Sequence, residues 1–380
     1  MRIALVSAQA NPLGGLGSPG FSGQGVYVAE LSRALAARGH RVTVYTRKDG
    51  PDLPERVVVR QGCVVVYVPA GPPRLLYRGE LAPHLGEFSR FLAAEWGRRG
   101  PDLAHTHFWL SGLATLLATR PLGVPVVQTY HGFGPGDRGR IERMIGRAAA
   151  RVLATCADEV PDLIRMGVGR DRISVAPGGV DLTAFRPDGP VAERTARYRL
   201  VSVGPLAEPS GFEQIIRILR MLRDAELLIA GGGTVDPVTD DPEARRLLRV
   251  AESNGVGDRV RLLGRVPRTE LPALLRSADV VVCSPESEPL GLVPLEAMAC
   301  GTPVVATAVG GLADTVVDGL TGVLVPAGRT GALCRAVASL LTDRIRRAAM
   351  GNAGRDRVDS RYSWDRVAGE AARVYQRVLR

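Results

Sequence analysis

The chain has 380 residues and a formal net charge of +10, with 45% hydrophobic and 23% charged residues. This length is too great for one ordinary hydrophobic core and fits two α/β domains, and no apolar run reaches the roughly 18 residues that a membrane-spanning helix needs. No basic stretch is interleaved with aromatic residues, which argues against nucleic-acid binding and leaves acidic substrates or peripheral contact with an anionic membrane as partners of the positive charge.

The first half of the chain alternates short β-rich apolar runs with segments of helical period. This alternation predicts a mostly parallel sheet covered by helices on both faces. Helices are predicted at 24–37, near 81–96 and at 158–166, and Gly39 ends the first of them. Strands are predicted at 3–7, 42–46, 64–68, 102–105, 124–130 and 152–155.

A polar, turn-rich link at 178–197 separates this half from a second one in which the alternation restarts. We therefore predict two domains, 1–185 and 190–360, and a long amphipathic helix at 364–379. Strands of the second half are predicted at 200–203, 227–230, 260–263, 280–283 and 304–306. Its helices are predicted near 211–222, 243–254, 271–277 and 292–299.

Two general features bear on the compartment. The N-terminus enters a strand at once, without the apolar region or cleavage site of a secretory signal. Five cysteines lack metal-ligand spacing, so we expect them to be reduced core residues in a cytoplasmic protein. They are Cys63, Cys156, Cys283, Cys300 and Cys334.

A glycine-rich loop follows the first predicted strand and opens a helix. Glycines let the backbone approach a ligand closely, and the helix N-terminus offers free N–H groups, so the loop favours a phosphate. The same pattern also occurs in loops that bind nothing. The fingerprint G-x-G-x-x-G is not cleanly formed and no acidic residue ends the second strand, which disfavours NAD. The glycines are Gly14, Gly15, Gly17, Gly20, Gly23 and Gly25.

Two carboxylates lie eight residues apart, Glu288 before a turn and Glu296 in the helix that follows. This spacing can place both at the carboxyl end of a strand, where doubly wound folds bind ligands. Carboxylates there accept hydrogen bonds from sugar or ribose hydroxyls. The alternative, two solvated surface charges, fits poorly with the apolar residues between them, because buried charges need partners.

The segment from Glu288 to Glu296, followed by 297–306, resembles the E-x7-E region of family 4 glycosyltransferases. Other segments resemble the same family in the same order, so the resemblance covers nearly the whole chain. These are the glycine loop at 21–28, the second strand at 38–44, the histidine-bearing strand ends at 102–107 and 128–131, and a late loop at 310–312 with 318–322.

The resemblance implies a GT-B fold, in which two Rossmann-like, doubly wound parallel-sheet domains face a central cleft and the last helix packs back on the first domain. It also implies a retaining transfer of a sugar from a nucleotide-diphosphate sugar to a hydroxyl of a small-molecule or lipid acceptor. No cofactor and no essential metal are expected. The oligomeric state, the donor base, the sugar and the acceptor stay open.

The resemblance also assigns roles to residues. Glu296 would hold the ribose hydroxyls, Glu288 the donor sugar, and His131 would lie beside that sugar. The acceptor would lie against the first domain, where His105 and His107 are candidates; a structural histidine at a strand end is the alternative for each. The remaining donor-site residues are Gly23, Gln24, Gly204, Arg265, Val266, Leu290, Gly291 and Leu292.

The chain departs from the family at the start of its second half, where an Arg and a Lys normally neutralise the diphosphate. Pro205 and Ser210 occupy those positions. Ser210 and Glu213 instead form a candidate capping box for the following helix. Two lost charge-assisted hydrogen bonds would remove roughly 3–6 kcal/mol of support for the leaving group, on the order of 10²–10⁴ in rate.

Three explanations of this departure remain open. Another cation, such as Arg265, Arg268 or an arginine of the first domain, could take over the diphosphate. The donor could carry a different leaving group. The chain could also be a weak or inactive relative that binds a nucleotide or sugar without turnover, and a nucleotide-sugar epimerase is a further alternative on the same fold.

Overall fold

The chain divides into two compact units, each built on its own sheet. In the computed structural model, residues 1–14, 23–76, 78–232 and 238–380 are described. Unit 1 contains the described residues of Met1–Gly14 and Gly20–Gly178 together with Trp364–Arg380, and unit 2 contains those of Gly179–Ser363. The division falls between Gly178 and Gly179, within the predicted link, and the C-terminal helix belongs to unit 1.

Unit 1 has an eight-stranded sheet in the order β3-β4-β2-β1-β5-β6-β7-β8. Every neighbouring pair is parallel except β3 and β4, which are antiparallel. The chain order reverses direction between β1 and β5, which makes that position the switch point of the sheet. The strands are β1 Arg2–Val6, β2 Arg41–Arg47, β3 Arg56–Arg60, β4 Cys63–Val68, β5 Leu103–His107, β6 Val126–Thr129, β7 Arg151–Ala154 and β8 Ile173–Val175.

Seven helices of unit 1 pack on this sheet. The first and the last of them pack against each other, and Tyr27 meets Trp364 edge to face with ring centroids 5.4 Å apart. The helices are α1 Gly23–Ala37, α2 Arg78–Leu81, α3 Leu85–Arg99, α4 Trp109–Thr119, α5 Gly136–Ala148, α6 Glu159–Arg165 and, at the C-terminus, α14 Trp364–Val378.

Unit 2 has a six-stranded sheet in the order β11-β10-β9-β12-β13-β14, and all of its neighbouring pairs are parallel. Its switch point lies between β9 and β12. The central strands are buried on both faces and read as continuous apolar runs, as expected for a parallel sheet between helices. The strands are β9 Tyr198–Val203, β10 Ala225–Ala230, β11 Val260–Gly264, β12 Val280–Cys283, β13 Val304–Thr307 and β14 Gly322–Val325.

The helices of unit 2 cover both faces of its sheet, and two separate apolar clusters fill the space between helices and strands. The predicted ranges 271–277 and 292–299 match α9 and α10 residue for residue. The helices are α7 Phe212–Ile218, α8 Pro242–Ser253, α9 Leu271–Ser277, α10 Leu292–Ala299, α11 Gly310–Thr315, α12 Thr330–Thr342 and α13 Arg344–Arg361.

Three strands were not among those predicted, β3, β8 and β14. β3 is an edge strand with alternating exposed and half-buried residues, and Val58 in it is 72% exposed. β8 has only three residues and β14 begins with Gly322. Short or half-solvated strands lack the long apolar run that marks a central strand, so they were missed.

Candidate functional site

Glycines line the carboxyl ends of three neighbouring strands in unit 2, next to its switch point. A Cβ on Gly231 would lie 1.7 Å from the carbonyl oxygen of Gly204, so these two backbones touch. The amide of Gly204 donates to Ala230 at 3.0 Å, and that of Gly231 donates to Gly264 at 2.8 Å. The edge is therefore a floor of backbone groups that a ligand can approach closely.

Glu288 organises the turn that follows β12. Its Oε1 accepts hydrogen bonds from the amides of Leu290 at 2.9 Å and Gly291 at 3.1 Å. Gly291 then begins α10 in the left-handed region, with φ +61°. Burial raises the pKa of Glu288, while the two amide hydrogen bonds act in the opposite direction. The Leu290 and Gly291 amides, which were expected to meet a donor sugar, donate to Glu288.

A second glycine pair, Gly310 and Gly311, packs against the backbone of the Glu288 turn. The amide of Gly311 donates to the Glu288 carbonyl at 2.7 Å. A Cβ on Gly310 would lie 2.4 Å from the same carbonyl, and one on Gly311 would lie 2.8 Å from the Pro289 carbonyl oxygen. Only glycine fits at these two positions, so the late loop at 310–312 fixes the position of the Glu288 turn.

Glu296 is one turn into α10 and is only 2% exposed. Its Oε1 lies 2.6 Å from a guanidinium nitrogen of Arg268, and this guanidinium lies 4.9 Å from the ring centroid of Phe185. The positive charge and the aromatic ring hold the buried carboxylate in place. Glu288 and Glu296 therefore occur in one turn-and-helix segment, one anchoring the turn and the other buried behind it.

The side chain of Arg265 crosses the glycine floor. A Cβ on Gly232 would lie 2.6 Å from Cγ and from Nε of Arg265. The amide of Leu206 donates to the Gly232 carbonyl at 3.3 Å, so the arginine lies beside the loop that begins at Gly204. Pro205, where the family has arginine, is in this loop and is exposed.

The two replaced positions contact each other. The hydroxyl of Ser210 donates to the carbonyl of Pro205 at 2.7 Å. The predicted capping box is wrong, because α7 is capped by Gly211 in the left-handed conformation at φ +72°, without a side-chain cap. Gly211 is required here, since a Cβ would lie 1.8 Å from the carbonyl oxygen of Ser284. Glu213 pairs with Arg217 and Arg246 instead.

In unit 1, histidines occupy the ends of two neighbouring strands. His105 is fully buried, and both ring nitrogens have partners: Nδ1 is 2.7 Å from the Tyr375 hydroxyl and Nε2 is 2.9 Å from Thr129 Oγ1. Burial lowers the pKa of His105 to about 3. This environment supports the structural alternative for His105, whose ring joins the sheet to α14.

His107 and His131 form a pair. Nδ1 of His107 lies 3.0 Å from Nε2 of His131, and the rings are stacked with centroids 5.3 Å apart. His107 is fully buried, and burial lowers the pKa of both rings, that of His131 to about 3. His131 has φ +56°, and among the described non-glycine residues only Phe108 shares this left-handed backbone. Strained backbone of this kind clusters at functional sites.

Gln24 connects the same strand ends. Its amide nitrogen donates to Ser7 Oγ at 3.1 Å and to the His107 carbonyl at 3.4 Å, and its oxygen accepts from Gln9 at 3.2 Å. Gln24 thus uses its side chain inside unit 1. Gly23 begins α1. The expected phosphate loop from Gly15 to 22 lies outside the described residues.

Comparison with known proteins identifies the family. The family described as "Glycosyl transferases group 1" matches residues 189–357, and "Glycosyltransferase Family 4" matches residues 21–184. A D-inositol 3-phosphate glycosyltransferase of Xylanimonas cellulosilytica is 36% identical over 98% of this chain and 96% of its own length. The chain belongs to glycosyltransferase family 4.

Solved structures agree with this assignment. A sucrose-phosphate synthase from Thermosynechococcus elongatus superposes on the glycosyltransferase with a TM-score of 0.90 and 31% identity, over 99% of this chain and 98% of the other. Anabaena Alr3699/HepE in complex with UDP and glucose superposes with a TM-score of 0.77 and 18% identity, over 99% and 100% of the two chains, which supports the fold alone. The GT-B fold is confirmed, and the chain is an enzyme of the glycosyltransferase class.

Several residues of this glycosyltransferase were not predicted as parts of its site. Arg268 was considered only as a stand-in cation, yet it pairs with Glu296. Tyr375 binds His105 across 270 residues of sequence, which no local pattern reveals. Gln9, two residues after Ser7, could have been noticed as a polar residue at a strand end.

Three further observations concern the described residues of the glycosyltransferase. Among them, no group of three or more His, Cys, Asp or Glu side chains is arranged to hold a metal ion. None of the helices that the structure describes has the length and apolar character needed to cross a membrane. All five cysteines are free thiols, four of them buried.

Proposed function

We propose that this enzyme transfers a sugar from a nucleoside diphosphate sugar to a hydroxyl of a small phosphorylated polyol, with retention of the anomeric configuration. The proposal depends most on one observation in unit 2, the turn-and-helix segment that carries Glu288 and Glu296. Both carboxylates have restricted geometry before any ligand binds, and preorganised polar groups need little rearrangement on binding.

The two carboxylates have different tasks in this proposal. Glu296 accepts hydrogen bonds from the ribose hydroxyls, and Arg268 supplies the opposite charge that a buried carboxylate needs. Glu288 holds the turn from Leu290 to Leu292 through its Oε1. Its other carboxylate oxygen accepts a hydrogen bond from a hydroxyl of the donor sugar. The two tasks place the nucleoside along α10 and the sugar at its N-terminus.

Arg265 takes over part of the missing diphosphate contact. Its side chain lies against Gly232, which is hydrogen-bonded to the loop containing Pro205. A guanidinium in this position needs little movement to reach a phosphate beside Gly204, and arginine binds phosphate oxygens in pairs. Arg268, the other arginine considered from the sequence, is assigned to Glu296 in this proposal.

The acceptor class follows from the names of the relatives. The Xylanimonas relative is named for D-inositol 3-phosphate, and the Thermosynechococcus structure is named for the synthesis of sucrose phosphate. Both names contain a small polyhydroxylated, phosphorylated molecule. A cytoplasmic enzyme acting on such an acceptor agrees with the surplus of positive charge.

The transfer requires that the acceptor hydroxyl be positioned beside the anomeric carbon and that the charge on the departing diphosphate be stabilised. The acceptor oxygen forms a bond to the anomeric carbon as the bond from that carbon to the phosphate oxygen breaks. The hydroxyl proton passes to the departing diphosphate, on the face from which it leaves. Arg265 stabilises the negative charge that develops on the diphosphate. We propose that no bound metal is needed for this step.

The test is a product assay with a panel of nucleoside diphosphate sugars, UDP-glucose first, and phosphorylated polyols, inositol 3-phosphate first. Formation of a glycoside whose anomeric proton has the configuration of the donor supports the proposal, and an inverted product contradicts it. The Glu296→Ala variant is expected to bind UDP about 10–100-fold more weakly, because a ribose contact is lost and Arg268 is left unpaired. The exposed Glu286→Gln variant is the matched control.

A further inference from the structure

The C-terminal helix α14 reaches the interior of unit 1 through the hydroxyl of Tyr375. This side chain is fully buried, and its hydroxyl lies 2.7 Å from Nδ1 of His105 on β5. Nε2 of His105 lies 2.9 Å from Oγ1 of Thr129, the last residue of β6. That Oγ1 lies 2.7 Å from the carbonyl oxygen of Leu153 on β7. One chain of hydrogen bonds therefore joins α14 to three neighbouring strands.

The direction of every hydrogen bond in this chain is determined. A carbonyl oxygen cannot donate, so the proton between Thr129 and Leu153 belongs to the Thr129 hydroxyl. Its oxygen can then only accept from His105, whose Nε2 must carry the ring proton. Burial lowers the pKa of His105 to about 3, so the neutral ring has a single N–H, and Nδ1 accepts from the Tyr375 hydroxyl. No member of the chain can reverse its role without leaving a buried group unpaired.

This chain of hydrogen bonds leads to His131 by two routes. Along β6, Thr129 lies two residues before His131, whose backbone is left-handed at φ +56°. Through the rings, His105 packs on His107 with centroids 4.3 Å apart, and His107 stacks on His131 at 5.3 Å. Fully satisfied buried networks rigidify the groups that they connect. The hydroxyl of Tyr375 therefore restrains both the backbone before His131 and the rings beside it.

We propose that Tyr375 is a positioning residue of the transfer site, whose hydroxyl fixes His105 and, through His105, the end of β6 and the His131 ring. Tyr375 acts only through these contacts, because it is fully buried. The inference rests on the proposed function only in expecting His131 beside the donor sugar. Transfer tolerates little displacement of such a group, since a shift of about 1 Å can cost on the order of 10² in rate. The C-terminal helix thereby contributes to the transfer as well as to the fold of unit 1.

The first test removes the hydroxyl alone. Tyr375→Phe leaves Nδ1 of His105 without a donor but keeps the edge contact between the two rings. We expect kcat to fall about 5–20-fold, while the Kd for UDP, which unit 2 binds in the proposed function, changes less than about twofold. Tyr45→Phe is the matched control, because Tyr45 is a buried tyrosine of unit 1 that packs on Trp96 outside the chain of hydrogen bonds. Wild-type kcat in Tyr375→Phe, or an equal loss of kcat in both variants, would contradict positioning.

Rescue at His105 separates positioning from folding. Gln has one donor group and one acceptor, so it can bind both Thr129 and Tyr375, whereas Leu has neither. We expect His105→Gln to retain kcat within about threefold and His105→Leu to lose about 10–100-fold, with an unchanged Kd for UDP in both. Thermal unfolding of both variants gives the change in Tm that accompanies each substitution. Equal losses of kcat in the Gln and Leu variants would show that the hydrogen bonds of His105 do not position the site.

Nuclear magnetic resonance of the protein labelled with ¹⁵N in its five histidines tests the chain of hydrogen bonds without any substrate. We expect the wild-type His105 ring to be protonated on Nε2. Tyr375→Phe should shift the ring signals of His107 and His131, whereas Tyr45→Phe should leave them in place. A His105 ring protonated on Nδ1, or unshifted His107 and His131 signals in Tyr375→Phe, would overturn the inference. If no donor and acceptor pair is turned over, the proposed function fails, while these spectra still test the restraint of His131 by Tyr375.

Discussion

The two units present opposite kinds of chemistry at the switch points of their sheets. In unit 2 the polar groups are charged and paired, as with Glu296 and Arg268 2.6 Å apart. In unit 1 they are neutral imidazoles at the ends of β5 and β6, with pKa values lowered by burial. A charged site suits a nucleoside diphosphate, while neutral donors and acceptors suit hydroxyl groups. In the proposed function, the same architecture therefore serves two ligand chemistries through the residues that follow its strands.

The largest expected effect tests the charged side of this comparison. Glu288→Ala removes the acceptor of two turn amides, and transfer should fall about 10²–10⁴-fold, because charge-assisted hydrogen bonds contribute about 1.5–3 kcal/mol each. Glu288→Gln keeps a carbonyl acceptor and should lose only about tenfold. Steady-state kinetics of both variants beside Glu286→Gln makes the measurement. Equal activity of the Ala variant and the wild type would remove Glu288 from the site.

Lowering the pH tests the neutral histidines of unit 1. The unfolded chain binds protons at histidine below about pH 6.5, whereas burial keeps His105, His107 and His131 neutral in unit 1, so stability falls as the pH falls. At pH 5 each of these histidines costs about 2 kcal/mol. Glu159 acts in the opposite direction, because burial raises its pKa to about 7 and folded unit 1 takes up that proton first. Proton uptake by Glu159 offsets roughly 2 kcal/mol of the loss caused by the histidines between pH 7.5 and pH 5.

Wild-type unit 1 should thus lose about 4 kcal/mol between pH 7.5 and pH 5, and Glu159→Gln about 6 kcal/mol. Urea unfolding followed by tryptophan fluorescence measures this, since all three tryptophans, Trp96, Trp109 and Trp364, belong to unit 1. Glu55→Gln, an exposed substitution in the same unit, is the control. Identical pH dependence of the wild type and Glu159→Gln would show that Glu159 titrates as it does in the unfolded chain.

A smaller effect sharpens the account of the diphosphate. Arg265→Gln should weaken UDP binding about 10–30-fold, the loss of one charge-assisted contact, and weaken UMP binding less than threefold. Isothermal titration calorimetry gives both constants, with Arg261→Gln, an exposed position on the preceding strand β11, as the control. Equal weakening of UDP and UMP would assign Arg265 to the nucleoside and not to the diphosphate.

The smallest expected effect concerns metal ions. Because Arg265 neutralises charge on the diphosphate in our proposal, treatment with EDTA should change the transfer rate less than twofold. Rates are compared before and after chelation, and again after adding Mg²⁺. A loss of more than tenfold in the transfer rate that Mg²⁺ restores would show that a bound divalent metal ion, and not Arg265, neutralises the diphosphate.

The sequence allowed the prediction of most central strands because buried parallel strands are continuous apolar runs, as at Val280–Cys283. It also allowed the recognition of the Glu288 and Glu296 region from local spacing. It did not predict the contacts that depend on tertiary structure. Arg268 reaches Glu296 from another loop, and Tyr375 reaches His105 from the opposite end of the chain.

The error at Ser210 has a local cause. Ser and Glu at this spacing are typical of a capping box, but the intervening Gly211 adopts a left-handed conformation against the carbonyl of Ser284 and takes the cap position itself. The distance to Ser284 depends on how α7 packs on β12. The sequence pattern does not reveal that distance. In the structure Ser210 therefore does not cap α7, and its hydroxyl donates to the Pro205 carbonyl.

Because α14 completes unit 1, the order of synthesis differs from the order of the units along the chain. A ribosome delivers every residue of unit 2 before it delivers Trp364, which contacts Tyr27, or Tyr375, which contacts His105. The N-terminal segment of the nascent chain therefore lacks the helix that completes unit 1 while about half of the protein is still being translated. Truncation ahead of α14 should harm the part of the molecule that was made first.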